Sequence, residues 1–299
     1  MRSFIALAVT TGLAVSLSEP AHAAPITTNT ALPVAKGEYV FREQWVLDQS
    51  GKDPSGANRD HQVVLSGSVL GYGITADWAL FGILPLALKR LDLNLNGARV
   101  RRDTGGIGDA RVFTRYTIFK SDMPGRTFRI APFAGAELPT GANTRRDALG
   151  RLPASVQPGS GSWDPFGGLV VTYQTRAFEI DVQASYQANT EADGFEFGDL
   201  ARLDGSLQYR LWPRELTDMT TSYLYGVLEA NLIHADKNRA GGLSDPNSGG
   251  TSLWGLVGLQ YVTSRTIVEA GVQFPLVQDL NGTALERDYI LRTGFRKNF

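Results

Sequence analysis

The chain has no cysteine, which removes disulfides, thiol nucleophiles and cysteine-ligated metal sites together. Histidine is nearly as scarce, with only His22, His61 and His234 present, so imidazole-based metal and acid–base chemistry has few places to reside. Net charge is −1, from 29 basic and 30 acidic residues, and this excludes the basic surplus that nucleic-acid binding requires. After the first 23 residues no apolar run approaches the ~18–20 that a spanning helix needs. A membrane role for this chain would have to be carried by strands.

The N-terminus reads as a secretory leader. Arg2 supplies the positive end, Phe4 to Leu17 an apolar stretch too short to span, and Ala21-His22-Ala23 a small-x-small cleavage site. Cleavage is expected after Ala23, since cutting one residue later would place Pro25 first in the mature chain. The expected organisation is a signal peptide over 1–23, a periplasmic N-terminal segment over 24–36 that is a candidate plug, and a barrel over 37–299.

What the sequence does have is alternation. Phe178, Ile180, Val182, Ala184 and Tyr186 oppose Glu179, Asp181, Gln183, Ser185 and Gln187, and the same scheme recurs over 201–211 and 265–276. Extended along the chain, the pattern predicts twelve strands near 37–48, 62–74, 78–88, 106–119, 126–139, 163–174, 176–188, 199–211, 222–234, 251–262, 265–277 and 286–299. The connections after odd-numbered strands are mostly long and polar, and those after even-numbered strands mostly short. An even count of strands with short turns at one end and long loops at the other predicts an all-β, transmembrane antiparallel β-barrel with short periplasmic turns and long extracellular loops. Tyr39, Trp45, Trp78, Trp163, Tyr173, Tyr186, Tyr261 and Phe299 suit its interfacial girdles. Some residues resist this reading. Glu43 would face lipid between Phe41 and Trp45, which puts the register of the first strand in question. Pro85, Pro139, Pro165 and Pro275 lie toward the long-loop ends, and the mid-strand Pro132 calls for a bulge.

The polar face carries both signs. Asp109, Arg111, Arg115, Arg129, Glu137, Glu179, Asp181, Arg202, Asp204, Arg210, Glu229, Glu269, Arg292 and Arg296 are the candidate lumen- and solute-facing residues. Such charges imply either a wet lumen or cross-strand ion pairs. "GGIGDARVFTRY", Gly105 to Tyr116, does not complete a nucleotide-binding GxGxxG; in a strand, Gly106 and Gly108 permit close approach and Asp109 can accept from backbone or arginine. An outer-membrane hydrolase would use His61 or His234 as general base, but no GxSxG or HExxH accompanies them. The chain closes on "RDYILRTGFRKNF", whose outward set ends in Phe295 and Phe299, with Lys297 between them able to snorkel to the interface.

"GIGDARVFTRY", "ELPTG" (Glu137 to Gly141), "GLQYVTSRTIVEAGVQFPLVQ" (Gly258 to Gln278) and the closing "GFRKNF" resemble, in that order, the outer-membrane transporter-like family named for the meta-pathway of phenol degradation. The resemblance implies a Gram-negative outer-membrane channel or transporter for passive uptake of small molecules, aromatic or hydrophobic compounds among them. Its implied partners are outer-membrane lipids, the barrel-assembly machinery, which would read Phe295 and Phe299, and the solutes themselves. No catalytic residues, cofactor or metal follow from it, and no nucleic acid. The competing expectations are a structural or adhesive barrel with a closed lumen, and an outer-membrane hydrolase.

Overall fold

The structure, a computed structural model, describes residues 23–217 and 219–299. The leader reading therefore falls, all but Ala23, outside the described residues. Twelve strands close into an antiparallel barrel. They are β1 (Tyr39–Ser50), β2 (Asp60–Gly73), β3 (Trp78–Leu95), β4 in three pieces (Ala98–Ile107, Ala110–Tyr116 and Phe119–Met123), β5 (Arg126–Leu138) and β6 (Asp164–Thr175). The ring continues with β7 (Phe178–Gln187), β8 (Leu200–Trp212), β9 (Ser222–Ala235), β10 (Gly250–Thr263), β11 (Thr266–Leu280) and β12 (Tyr289–Asn298). Each strand pairs with its neighbours in sequence, and β12 returns to β1 with Phe295 opposite Glu43 and Arg292 opposite Val46. Among the described residues no helix is long and apolar enough to cross a membrane; a single 3-10 turn occupies Ala154–Val156.

The two faces of the wall are inverted relative to a water-soluble protein. On β7, Ile180, Val182 and Tyr186 are 40–51% exposed on the outside, while Glu179 and Asp181 are at most 1% exposed on the inside. Leu228, Leu259, Val268 and Val272 continue the outer apolar belt. A hydrocarbon solvent outside makes such an apolar outer belt stable. At the short-turn end Tyr39, Trp78, Tyr261 and Phe299 stand exposed, and Trp163 and Tyr186 do so at the long-loop end.

The structure corrects three details. The stretch 89–105, read as a loop, is a continuation of β3 and β4 into a hairpin, with Leu91 opposite Arg102 and Leu95 opposite Ala98. Its turn residues Asn96 and Gly97 both have positive φ, 50° and 81°, as the two-residue turn that matches strand twist requires. Pro132 does not bulge its own strand. The extra residue lies in the facing strand, where pairing steps from Arg115↔Phe133 to Phe119↔Ile130 across the break in β4. Pro85 likewise faces the other break in β4, between Ile107 and Ala110, and Pro275 sits at a register shift between β10 and β11. Residues that cannot donate to a ladder have been placed where the ladder is already interrupted.

Glu43 does lie on the outer face. Its carboxylate accepts from the Ser66 and Ser68 hydroxyls at 2.5 and 2.6 Å, and with Phe41, Trp45 and Phe295 around it the residue is only 8% exposed. A desolvated charge held by two neutral donors is expensive. Glu43→Leu is therefore expected to stabilise the barrel by about 1 kcal/mol, read as a higher urea midpoint in liposomes; a lower midpoint would show that the carboxylate supports the wall.

Candidate functional site: the lumen and the segment within it

Residues 24–36 run through the barrel interior. Ala23 is buried against Val262 and Ile267. Ala24 exchanges hydrogen bonds with the Gln260 side chain, its N–H donating at 3.2 Å and its carbonyl accepting at 2.6 Å. The Ile26 and Thr27 amides donate to the two Glu229 oxygens at 2.6 and 3.1 Å, and the Thr27 hydroxyl donates there as well. Arg42 and Gln44 donate to the Ile26 carbonyl, and Asn29 donates to Gln183 at 2.8 Å. The chain then crosses the lumen. Ala31 N–H donates to the Thr172 hydroxyl at 2.7 Å, and Arg115 donates to the carbonyls of Thr30 and Leu32. Ala31 and Val34 pack on Phe81, Phe113, Ala131, Phe133 and Val170 of the opposite wall. Lys36 ends the crossing by bridging Gly73, where a Cβ would come within 2.1 Å of the Ala35 carbonyl, so only glycine fits. The anchors from Ala24 to Leu32 are thus mostly wall side chains.

Thirteen of the fourteen candidate residues lie on inward positions of the strands, and Asp109 lies in the break of β4; they divide by what they hold. Arg111 pairs with Glu137 at 2.5 Å and stands over the Phe166 ring; Arg202 pairs with Asp204 at 3.0 Å and Arg129 with Asp122 at 2.9 Å. Glu269 pairs with Arg42 at 2.6 Å. Arg210 donates to the Arg176 carbonyl, Arg292 to Gln273 and Gln44, and Arg296 to Asn298. Glu229, Glu179 and Asp181 have no arginine or lysine partner among the described residues and accept instead from hydroxyls and amides of the wall and of the internal segment. Asp109 is not solute-facing. It accepts from the Gly141 and Ser160 amides at 2.9 and 2.5 Å and from the Ser160 hydroxyl, while Thr140 bridges the Gly108 carbonyl and the Ala110 amide. "GIGDAR" and "ELPTG" therefore clasp each other and hold the loop between β5 and β6, whose Leu152 and Val156 pack on Leu91.

The sequence reading missed Arg42, Gln44, Gln183, Asn231 and Gln260. Arg42 could have been found by trusting the β1 alternation; the neutral amides have no charge pattern to reveal them. The two histidines among the described residues, His61 and His234, are on β2 and β9, well apart around the ring; His234 contacts Thr251 at 2.9 Å and Asp236 at 3.6 Å.

The internal segment borders two cavities. The one toward the long loops, about 430 Å³, is lined by six arginines against one carboxylate, Glu269, with Phe81, Phe113, Phe133 and Phe166 on one side. The one at the short-turn end, about 610 Å³, has five arginines against Glu38 and Asp122. Glu229 and Glu179 accept from the segment, while Arg111, Arg202 and Arg292 line the space toward the long loops.

No family model and no curated protein matches this sequence. In structure the chain is similar to an outer membrane channel from Pseudomonas putida F1, with a TM-score of 0.68, 11% identity, and 92% of this chain and 100% of that chain covered. The chain has the fold of an outer-membrane β-barrel. The β domain of the Bordetella autotransporter BrkA covers 88% of this chain and 100% of its own at TM-score 0.49 and 12% identity.

Proposed function

We propose that this barrel is a passive outer-membrane channel for small molecules, with residues 24–36 as an internal plug and the short turns in the periplasm. The observation that carries the reading is a segment held across a charged lumen mostly by side-chain hydrogen bonds, with a cavity on either side. From Ala24 to Leu32 those bonds run to wall side chains and not into the strand ladder, so this stretch can leave without breaking a strand pairing. The outer-membrane setting is supported by the apolar belt, and the channel role by the likeness to the Pseudomonas channel. Arginine-lined cavities with a phenylalanine wall suit small organic anions, and aromatic ones in particular, in keeping with the family resemblance.

Liposome swelling tests the reading. Swelling in small solutes, faster for benzoate than for a cation of similar size, is expected. A folded, heat-modifiable barrel that admits no solute would leave the closed structural barrel as the better account.

The terminal strand bears on assembly. The Phe299 amide donates to the Tyr39 carbonyl at 2.9 Å and its ring receives Lys297 at 5.1 Å. Deleting Phe299 is expected to lower the fraction of chains inserted in cells, scored by heat-modifiability of membrane extracts, with little change in the stability of those that insert. Undiminished insertion would remove Phe299 as an assembly signal.

A further inference from the structure

The arginines of the two cavities differ in what they are bound to. Toward the long loops, Arg42, Arg111 and Arg202 are matched by Glu269, Glu137 and Asp204, and Arg115 is spent on the Thr30 and Leu32 carbonyls. At the short-turn end Arg129 is matched by Asp122, but Arg176 and Arg210 are in no salt bridge among the described residues. Arg210 is half-buried and gives one N–H to the Arg176 carbonyl at 2.7 Å. The Arg176 guanidinium has no hydrogen-bond partner among the described residues.

These two arginines are neighbours. Arg176 lies in the two-residue turn between β6 and β7, and the Arg210 amide reaches the same turn, donating to the Ala177 carbonyl at 2.8 Å. On the β5 side, the Arg176 side chain lies over Gly125, where a Cβ would come within 3.5 Å of its Nε. Tyr225 is directly opposite Arg210 across β8 and β9 and half-buried in the lumen beside Tyr223. Side chains so opposed start about 5 Å apart. Its hydroxyl, too, has no hydrogen-bond partner among the described residues. Arg176, Arg210 and Tyr225 all line the cavity of about 610 Å³, where arginines outnumber acids.

The geometry points to a binding site for a small dianion, a phosphate monoester or a dicarboxylate, formed by Arg176, Arg210 and Tyr225. A guanidinium is a planar fork of donors that matches carboxylate and phosphate oxygens two at a time. A single carboxylate satisfies one fork and leaves the other charge unmatched, and water leaves both. Two linked negative charges answer both forks, and the Tyr225 hydroxyl adds one more donor. Leu32 to Ala35 of the internal segment also line this cavity, so the dianion sits beside the segment at the short-turn mouth. The site stands without the channel reading; its place on a solute path rests on that reading and narrows it from anions to doubly charged ones.

The test uses the purified full-length barrel in detergent at mildly alkaline pH, with radiolabelled inorganic phosphate, succinate and acetate as probes in equilibrium dialysis. Phosphate or succinate should bind at one per chain, roughly tenfold or more tighter than acetate. Whichever of the two binds more tightly separates a phosphate ester from a dicarboxylate. Arg176→Gln/Arg210→Gln should abolish this binding. Arg176→Lys/Arg210→Lys, which keeps both charges and loses both forks, should bind more weakly than the wild type. Heat-modifiability shows which variants fold; if only the lysine variant does, its binding as tightly as the wild type overturns the site. Dianions held no more tightly than acetate, or equally by the wild type and the glutamine variant, overturn it as well. In planar bilayers phosphate should reduce the chloride current of the wild type; binding without that block removes the site from the solute path. If dialysis shows the site and no condition gives conductance, it is the channel reading that fails. If the barrel conducts anions and dialysis shows no preference for dianions, the site falls and the channel reading remains.

Discussion

Deleting residues 24–36, with the leader joined directly to Gly37, is expected to raise single-channel conductance several-fold and to weaken anion preference. Both effects have the same origin. The segment separates the two cavities, and its removal merges them into one path. It also uncovers Glu229 and Glu179, whose oxygens now accept from Ile26, Thr27 and Thr30. Carboxylates bared among the lumen arginines move the reversal potential in a salt gradient toward cations. Glu229→Ala should reproduce part of this in the intact chain. It leaves two segment amides and the Ser206 hydroxyl without their acceptor, a cost of about 3 kcal/mol, which raises the open population roughly a hundredfold. Glu229→Gln, which keeps one acceptor, should lie between. If the deleted protein conducts like the full chain, the segment is not the barrier.

The strands were legible because lipid on one side and a polar lumen on the other impose a period of two on every crossing. Ile180, Val182 and Glu179, Asp181 declared their faces without any tertiary information. The hairpin over 89–105 was not recognised because its arginines look like loop, although Leu91, Leu93 and Leu95 alternate up to an Asn-Gly turn. Thirteen of the fourteen candidates share inward strand positions, which the alternation alone places, whereas Asp109 lies in the break of β4 and holds a loop. The partners of the thirteen were not legible, because pairing depends on register and depth: Arg111 meets Glu137 because they are opposed across β4 and β5, whereas Glu229 meets an amide 203 residues away in sequence. Neutral residues that anchor the segment, such as Gln183 and Gln260, differ in no sequence property from exposed amides. "GIGDAR" was distinctive in the sequence, but its purpose could not be read until Thr140, Gly141 and Ser160 were seen beside it.

That clasp carries the largest expected stability effect. Asp109 is 8% exposed and accepts two backbone amides and a hydroxyl, so Asp109→Ala leaves those donors buried and unpaired. The expected loss is about 3 kcal/mol, since hydrogen bonds to a charged acceptor are worth more than neutral ones. The damage should be local. Gly141 and Gly159 approach so closely that a Cβ on either would meet the other's backbone at 2.7–2.8 Å, so the loop has no nearby alternative packing once Asp109 is gone. Release of the loop frees Leu152 and Val156 from Leu91 and exposes the chain beyond Arg145 and Arg146. Trypsin should therefore nick the Asp109→Ala barrel at Arg145 or Arg146 under conditions where the wild type survives. The remaining strands should stay protected and heat-modifiable. Asp109→Asn, which retains a single acceptor oxygen, should be cut more slowly than the alanine variant. Equal resistance of all three proteins would mean that the loop is held by its apolar contacts alone and that the two sequence motifs do not depend on each other.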